Sequence, residues 1–202
     1  MRVKIYGLTG GTGSGKSEAG RMFRESGIPV LDADAIGHEL VEPGGAAVHA
    51  VVDAFGQDIL TDGRIDREKL GDVVFRDEEA RKRLNAILHP AIRQEIATRC
   101  GTLIQEGHET ILIDAALIAE NGRVDEFLSG LIVVNCPEEI RRKRLVEIRG
   151  LTEEEARRRI ASQAPPEKKI PLADWVIENS GTIEALKAEV GRVSEELSGH
   201  GG

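Results

Sequence analysis

The sequence predicts an α/β fold: a five-stranded parallel sheet flanked by helices, with an inserted helical subdomain and a highly charged segment near the C-terminal third. Three observations predict it. Five short apolar runs, at 3–8, 29–31, 111–113, 131–134 and 175–177, are mostly continuous rather than alternating, as strands buried on both faces are. Amphipathic runs with helical spacing lie between them, so strand and helix alternate in the manner of right-handed crossovers. From 32 to 110 only helical patterns and loops are expected, which is more than one crossover needs and marks an insertion.

Taken in order, the first apolar run leads into "GGTGSGKS" and a helical pattern at 16–26. The second run ends in "DAD" and is followed by helical patterns at 35–41, 46–55, 67–75, 78–88 and 91–105. The turn signal "EPGG" at 42–45 opens the insertion. After the third and fourth strands come helices at 138–148 and 153–163. Thr152 and Glu155 have the spacing of a capping box. Pro165 and Pro166 break the pattern there. The stretch 152–169 reads either as a solvated surface helix or as a mobile basic lid, and residues 138–169, rich in Arg, Lys and Glu and poor in large apolar groups, are expected to form a lid without a core of its own. A last strand and a helix at 183–197 follow, and the tail "SGHGG" is expected to be disordered.

These boundaries give one domain over 1–202. Its core is 1–34, 107–137 and 170–198, its helical insertion about 35–106, and its lid about 138–169. The 202 residues are 40% hydrophobic and 31% charged, ordinary for a globular protein with a sizeable core, and the 3% aromatic content leaves Val, Ile, Leu and Ala to build it. A net charge of −8 argues against broad nucleic-acid binding, which rests on Lys and Arg neutralising phosphates. No apolar run is long enough to span a bilayer. The N-terminus runs into a strand pattern with no signal peptide, so a cytoplasmic location is expected. Cys100 and Cys136 are far apart and read as buried free thiols.

Gly10, Gly15, Lys16 and Ser17 satisfy G-x-x-x-x-G-K-[ST], the P-loop, between a strand and a helix as that motif requires. Four glycines between 10 and 17 remove Cβ atoms so that backbone N–H groups can wrap phosphates at a helix N-terminus. Gly11, Thr12, Gly13, Ser14, Gly15, Lys16 and Ser17 are the candidate nucleotide-binding residues. Lys16 adds charge near the β- and γ-phosphates and is expected to serve the ligand rather than the fold. The Ser17 hydroxyl can ligate Mg²⁺. Asp114, after Ile111-Leu112-Ile113, fits either a second magnesium anchor or a cap for a following helix. Asp32 and Asp34 follow the second strand, where ligands of open α/β sheets bind. One of them can accept or align the proton of an attacking hydroxyl, and the other can cap the next helix.

The blocks "GLTGGTGSGKS", "DADAIGHELVEPG", "FGQDIL", "DGRIDREKL", "HPAIR" and "ADWVIENSG" together resemble the dephospho-coenzyme A kinase family, in order over nearly the whole chain, from about residue 5 to about 195. The P-loop is shared by many families; the other blocks in combination are far more specific. The resemblance implies a P-loop kinase core, a helical substrate domain and a lid. It implies transfer of the ATP γ-phosphoryl group to the ribose 3'-hydroxyl of dephospho-coenzyme A, the last step of coenzyme A synthesis. Asp34 then matches the catalytic base, His89 and Arg93 the substrate-binding block, Arg144 a lid arginine facing the transferred group, Lys169 a lysine in the lid's second half, and Asn179 a position near the ATP base. ATP as co-substrate and Mg²⁺ as cofactor follow, with Ser17 and Asp114 as metal residues and no nucleic-acid or membrane partner. This sequence departs from the family at Thr12, commonly isoleucine, at Ala116, commonly proline, and at Ile148-Arg149, often Arg-Asp; Glu120 keeps the family's acid. The alternatives are a P-loop kinase of another small acceptor and a nucleotide-driven ATPase or switch. A guanine-specific Asn/Thr-Lys-x-Asp signature is missing from the sequence.

Overall fold

The computed structural model describes residues 3–116, 118 and 123–199. In chain order its elements begin with β1 (Lys4–Gly10), α1 (Lys16–Glu25), β2 (Val30–Asp32), α2 (Ala33–Glu39), α3 (Val48–Phe55), β3 (Leu60–Thr61), β4 (Arg64–Ile65), α4 (Arg67–Arg76) and α5 (Glu78–Gln105). They continue with β5 (Thr110–Asp114), β6 (Gly130–Asn135), α6 (Glu138–Glu147), α7 (Glu153–Ala161), α8 (Pro166–Lys169), β7 (Trp175–Glu178) and α9 (Ile183–Leu197). They fall into two compact units, one of Met1–Asp32 with Leu103–Gly202 and one of Ala33–Thr102.

In the first unit a five-stranded sheet has the order β2-β5-β1-β6-β7, and every pairing is parallel. The apolar continuity of the strands has a direct cause. In β6, Ile132 and Val134 join one cluster with Leu8, Phe23, Ile177 and Val190, while Leu131 and Val133 pack on the other face with Ile170 and Leu172. Successive side chains point to opposite faces, and both faces are covered. On the first face α1 and α9 lie side by side. Full burial of Leu8, Phe23, Leu112 and Ile132 supplies about 1.5–3 kcal/mol per side chain. The central strand is β1: the chain leaves it for β2 on one side and later returns for β6 on the other. That order makes the carboxyl end of β1 a topological switch point, the position where open α/β sheets bind ligands.

In the second unit α2 packs on α5, where a Cβ at Gly37 would stand 3.1 Å from Ile92 Cδ1. Arg99 on α5 pairs with Glu39 on α2, and the Arg83 guanidinium lies 5.0 Å from the Phe55 ring centroid. The expectation of helices and loops alone fails here. Leu60↔Ile65 and Thr61↔Arg64 form an antiparallel hairpin. Its turn is Asp62-Gly63 with φ of 51° and 76°, the left-handed pair that a two-residue hairpin turn needs. The two strands are too short to show any periodicity in sequence.

The expected break between helices at 78–88 and 91–105 is also absent. α5 runs through Pro90 without interruption. Proline removes the bond to the Ala86 carbonyl, but both residues are exposed, so water can take that role. Residues 138–169 hold a small core: Leu145, Ala156 and Ile160, with Val146 and Leu151 against them. The expectation that this segment lacks a core is therefore wrong. The Thr152–Glu155 capping box forms as expected, with both reciprocal bonds, and it holds the Glu155 carboxyl below the usual range. Glu120 and the end of the tail lie outside the described residues. Among the described residues, no helix is long and apolar enough to cross a membrane.

Candidate active site

β1 ends at Gly10 beside Val134, and the chain turns through residues 11–15 into α1. Two glycines in this turn have no alternative. Gly13 and Gly15 take φ of 81° and 89°, where a side chain is strained. A Cβ at Gly15 would also overlap the Asn179 amide, and one at Gly13 would lie 2.8 Å from the Arg141 carbonyl oxygen. The loop is thus wrapped closely by other backbone and side-chain atoms. The N-terminus of α1 has no side-chain cap, which leaves the positive end of the helix for an anion.

Lys16 forms an ion pair with Asp114 at the end of β5, and the two side chains are 13% and 2% exposed. Register places Asp114 level with Leu8 on one side and Asp32 on the other, so both carboxylates stand at the carboxyl edge of the sheet. Lys16 therefore neutralises a buried carboxylate, which corrects the expectation that it serves only the ligand. Ser17 is exposed in the first turn of α1.

Asn179, buried just beyond β7, donates from Nδ2 to the Ser14 carbonyl at 2.7 Å. Arg144 on α6 donates to the Ser14 carbonyl at 3.4 Å and the Asn179 carbonyl at 3.1 Å. Its guanidinium also lies 3.6 Å from Cys136 Sγ. Burial pushes the Cys136 thiol up, partly offset by Arg144 and Arg141, and burial alone pushes up Cys100. Both cysteines are free and buried, as expected.

The structure brings Gly11 to Ser17, Asp114, Arg144 and Asn179 together within the first unit. Asp34, His89 and Arg93 belong to the second. Asp34 is exposed in the first turn of α2, two residues beyond the end of β2. His89 and Arg93 are exposed and four residues apart on α5, hence on one helix face. Lys169 is not a surface lysine. It is 2% exposed and donates to the Ala116 carbonyl at 2.7 Å, an oxygen that also accepts from Thr9 Oγ1 at 3.2 Å.

Two residues escaped the sequence reading. Gln163 Oε1 accepts the Thr12 N–H at 2.7 Å. Arg141, 4% exposed, packs its guanidinium against Gly11 and its backbone against Gly13. Nothing in "EEIRRKRL" separates Arg141 from its basic neighbours except its place one helical turn before Arg144.

The pattern of the dephospho-CoA kinase family matches residues 4–185. A dephospho-CoA kinase of Geobacillus kaustophilus is 45% identical over 91% of this chain and 92% of its own. Among solved structures, TT1252 from Thermus thermophilus superposes with a TM-score of 0.84 at 33% identity, covering 98% of this chain and 99% of its own. The dephospho-CoA kinase from Campylobacter jejuni gives 0.71 at 27% identity, covering 97% and 98%. A match of this extent takes in the phosphate loop, both aspartate-bearing strand ends and the last strand, not the P-loop alone, and the chain belongs to the dephospho-CoA kinase family.

Proposed function

We propose that the protein transfers the γ-phosphoryl group of ATP to the ribose 3'-hydroxyl of dephospho-coenzyme A, giving coenzyme A and ADP. The observation that carries this reading is the family match over 4–185, with the phosphate loop and its partners Lys16, Arg144 and Asn179 in place. The triphosphate lies along the N–H groups of residues 11–17, where the α1 dipole favours negative charge. Lys16 and Arg144 supply positive charge to the transferring group, and Asn179 holds the loop on the side of the base. Asp34 accepts or aligns the acceptor proton, and His89 and Arg93 bind the acceptor, the arginine suiting its phosphates. The work is positioning and electrostatics rather than covalent catalysis.

Magnesium fits the donor set. Among the described residues no group of three or more His, Cys, Asp or Glu could cage a metal. Magnesium needs no such cage, since it keeps waters and takes one or two protein oxygens beside substrate phosphates. Ser17 Oγ and Asp114, one residue and one ion pair from Lys16, would hold it. Bound there, it would neutralise phosphate charge. A cytoplasmic enzyme that binds neither membrane nor nucleic acid is the setting this reading carries.

The test offers the purified protein ATP·Mg²⁺ with a panel of hydroxyl acceptors and identifies products by mass. Mass gain of one phosphoryl group on dephospho-coenzyme A, dependent on ATP, is expected. Phosphorylation of a different acceptor, or ATP hydrolysis with no acceptor phosphorylated, would overturn the reading.

A further inference from the structure

Three cations surround the phosphate loop, and two are accounted for. Lys16 is paired with Asp114, and Arg144 donates to the carbonyls of Ser14 and Asn179. Arg141 differs. It is 4% exposed, its Nε is buried with no hydrogen-bond partner, and among the described residues no carboxylate forms an ion pair with it. It lies four residues into α6, at the positive end of that helix, where a further positive charge is disfavoured. A buried charge without a partner costs several kcal/mol, so a chain keeps one only where something else supplies the counter-charge.

The position of the guanidinium indicates what that is. A Cβ at Gly11 would stand 2.5 Å from Arg141 Nη1, so the group lies directly on the arm of the phosphate loop. Arg141 also lines a cavity of about 380 Å³ with Cys136, Glu138, Ile160, Gln163 and Pro165. Gln163 from that wall bonds Thr12 of the same loop. Glu138, the carboxylate in this wall, is exposed and makes no ion pair with Arg141.

We infer that Arg141 is an additional phosphate-binding residue of this site, a buried guanidinium whose counter-ion is the polyphosphate of the bound nucleotide. The inference rests on the reading of residues 10–17 as a nucleotide-binding loop and adds a residue to it. A guanidinium suits this duty because its planar fork can donate two bonds to one phosphate group.

The test uses the full chain and three proteins: wild type, Arg141→Met and Arg141→Lys. ATP affinity is measured by calorimetry over a salt series, and thermal stability with and without tripolyphosphate. Arg141→Met should bind ATP about tenfold more weakly, the worth of one charge-assisted hydrogen bond. Its affinity should also depend less steeply on salt, since one screened attraction is gone. Arg141→Lys should keep part of both. Without ligand, Arg141→Met should melt no lower than wild type, because an unneutralised buried charge has been removed. Wild-type affinity and salt dependence in Arg141→Met would overturn the inference. So would weakened binding with an unchanged salt dependence and a lower melting temperature, the signature of a packing role. If wild type itself binds neither ATP nor tripolyphosphate, the nucleotide-loop reading falls with it, whereas retained affinity in Arg141→Met alone removes only Arg141.

Discussion

Replacing Lys16 with alanine should destabilise the protein before any nucleotide is added. The Lys16 ammonium is paired with an Asp114 carboxylate that is only 2% exposed. Removing one member of a buried ion pair typically costs about 3–5 kcal/mol, since the remaining charge stays out of water. Lys16 keeps 13% exposure and alanine lets some water in, so the low end, about 3 kcal/mol, applies. For a chain of this size each kcal/mol moves the melting temperature by about 2–4 °C, so Tm should fall by about 6–12 °C. Calorimetric melting in nucleotide-free buffer measures it. The double variant Lys16→Ala/Asp114→Asn removes the charge that Lys16 balanced and should recover most of the loss, leaving a coupling energy of about 2 kcal/mol in the cycle. A Tm for Lys16→Ala within about 2 °C of wild type, less than 1 kcal/mol, would refute the reasoning. An equal loss in the presence and absence of Asp114's charge would refute the attribution to the pair.

Four further outcomes are expected. Asp34→Asn should lower turnover about 10²–10⁴-fold while ATP binding persists, with Asp32→Asn less affected; comparison of ATP affinity and kcat in both variants checks it, and near-normal turnover in Asp34→Asn excludes it as the base. Thr152→Ala should cost about 1 kcal/mol of α7 stability, seen as roughly fivefold faster hydrogen exchange in α7. The same helix should loosen in acid. Because the folded Glu155 carboxyl is held below the usual range, its contribution is present above the ordinary carboxylate pKa and is lost as pH falls through the folded value. The single tryptophan, Trp175, donates to Glu196 at 2.7 Å and sets its ring edge-to-face on Tyr6, with centroids 5.4 Å apart. That bond, with Arg192, lowers the Glu196 carboxyl, so tryptophan fluorescence should change at a pH below the ordinary carboxylate range and stay flat there in Glu196→Gln.

How far such a site can be read in advance depends on the kind of signal each part leaves. The strands were legible because both faces of the sheet are covered, which writes long apolar runs into the central β5, β1 and β6 and shorter ones into the edge strands β2 and β7. The phosphate loop was legible because its geometry demands glycine at 13 and 15, and the lysine must follow at once. Arg141 and Gln163 were not legible: each acts through a contact with a loop more than 120 positions away, and no local pattern marks it. The β3–β4 hairpin was missed because two-residue strands have no period, though Asp62-Gly63 carried the turn signal. Pro90 misled because its usual effect on a helix is local, and α5 tolerates it on an exposed stretch.

The bond between Asn179 and the Ser14 carbonyl closes the phosphate loop across 165 residues. During synthesis the side chain that braces the loop leaves the ribosome roughly 8–33 s after the loop itself at ordinary elongation rates. Arg141, Arg144 and Gln163 arrive in between. While those residues are being made, an emerging chain thus displays its glycine-rich motif without the side chain that braces it. Pairing of the last strand with β6 brings the brace to the loop, and a chain that stops short of Asn179 carries the motif without it. Nucleotide affinity of a truncated product therefore reports completion of the fold.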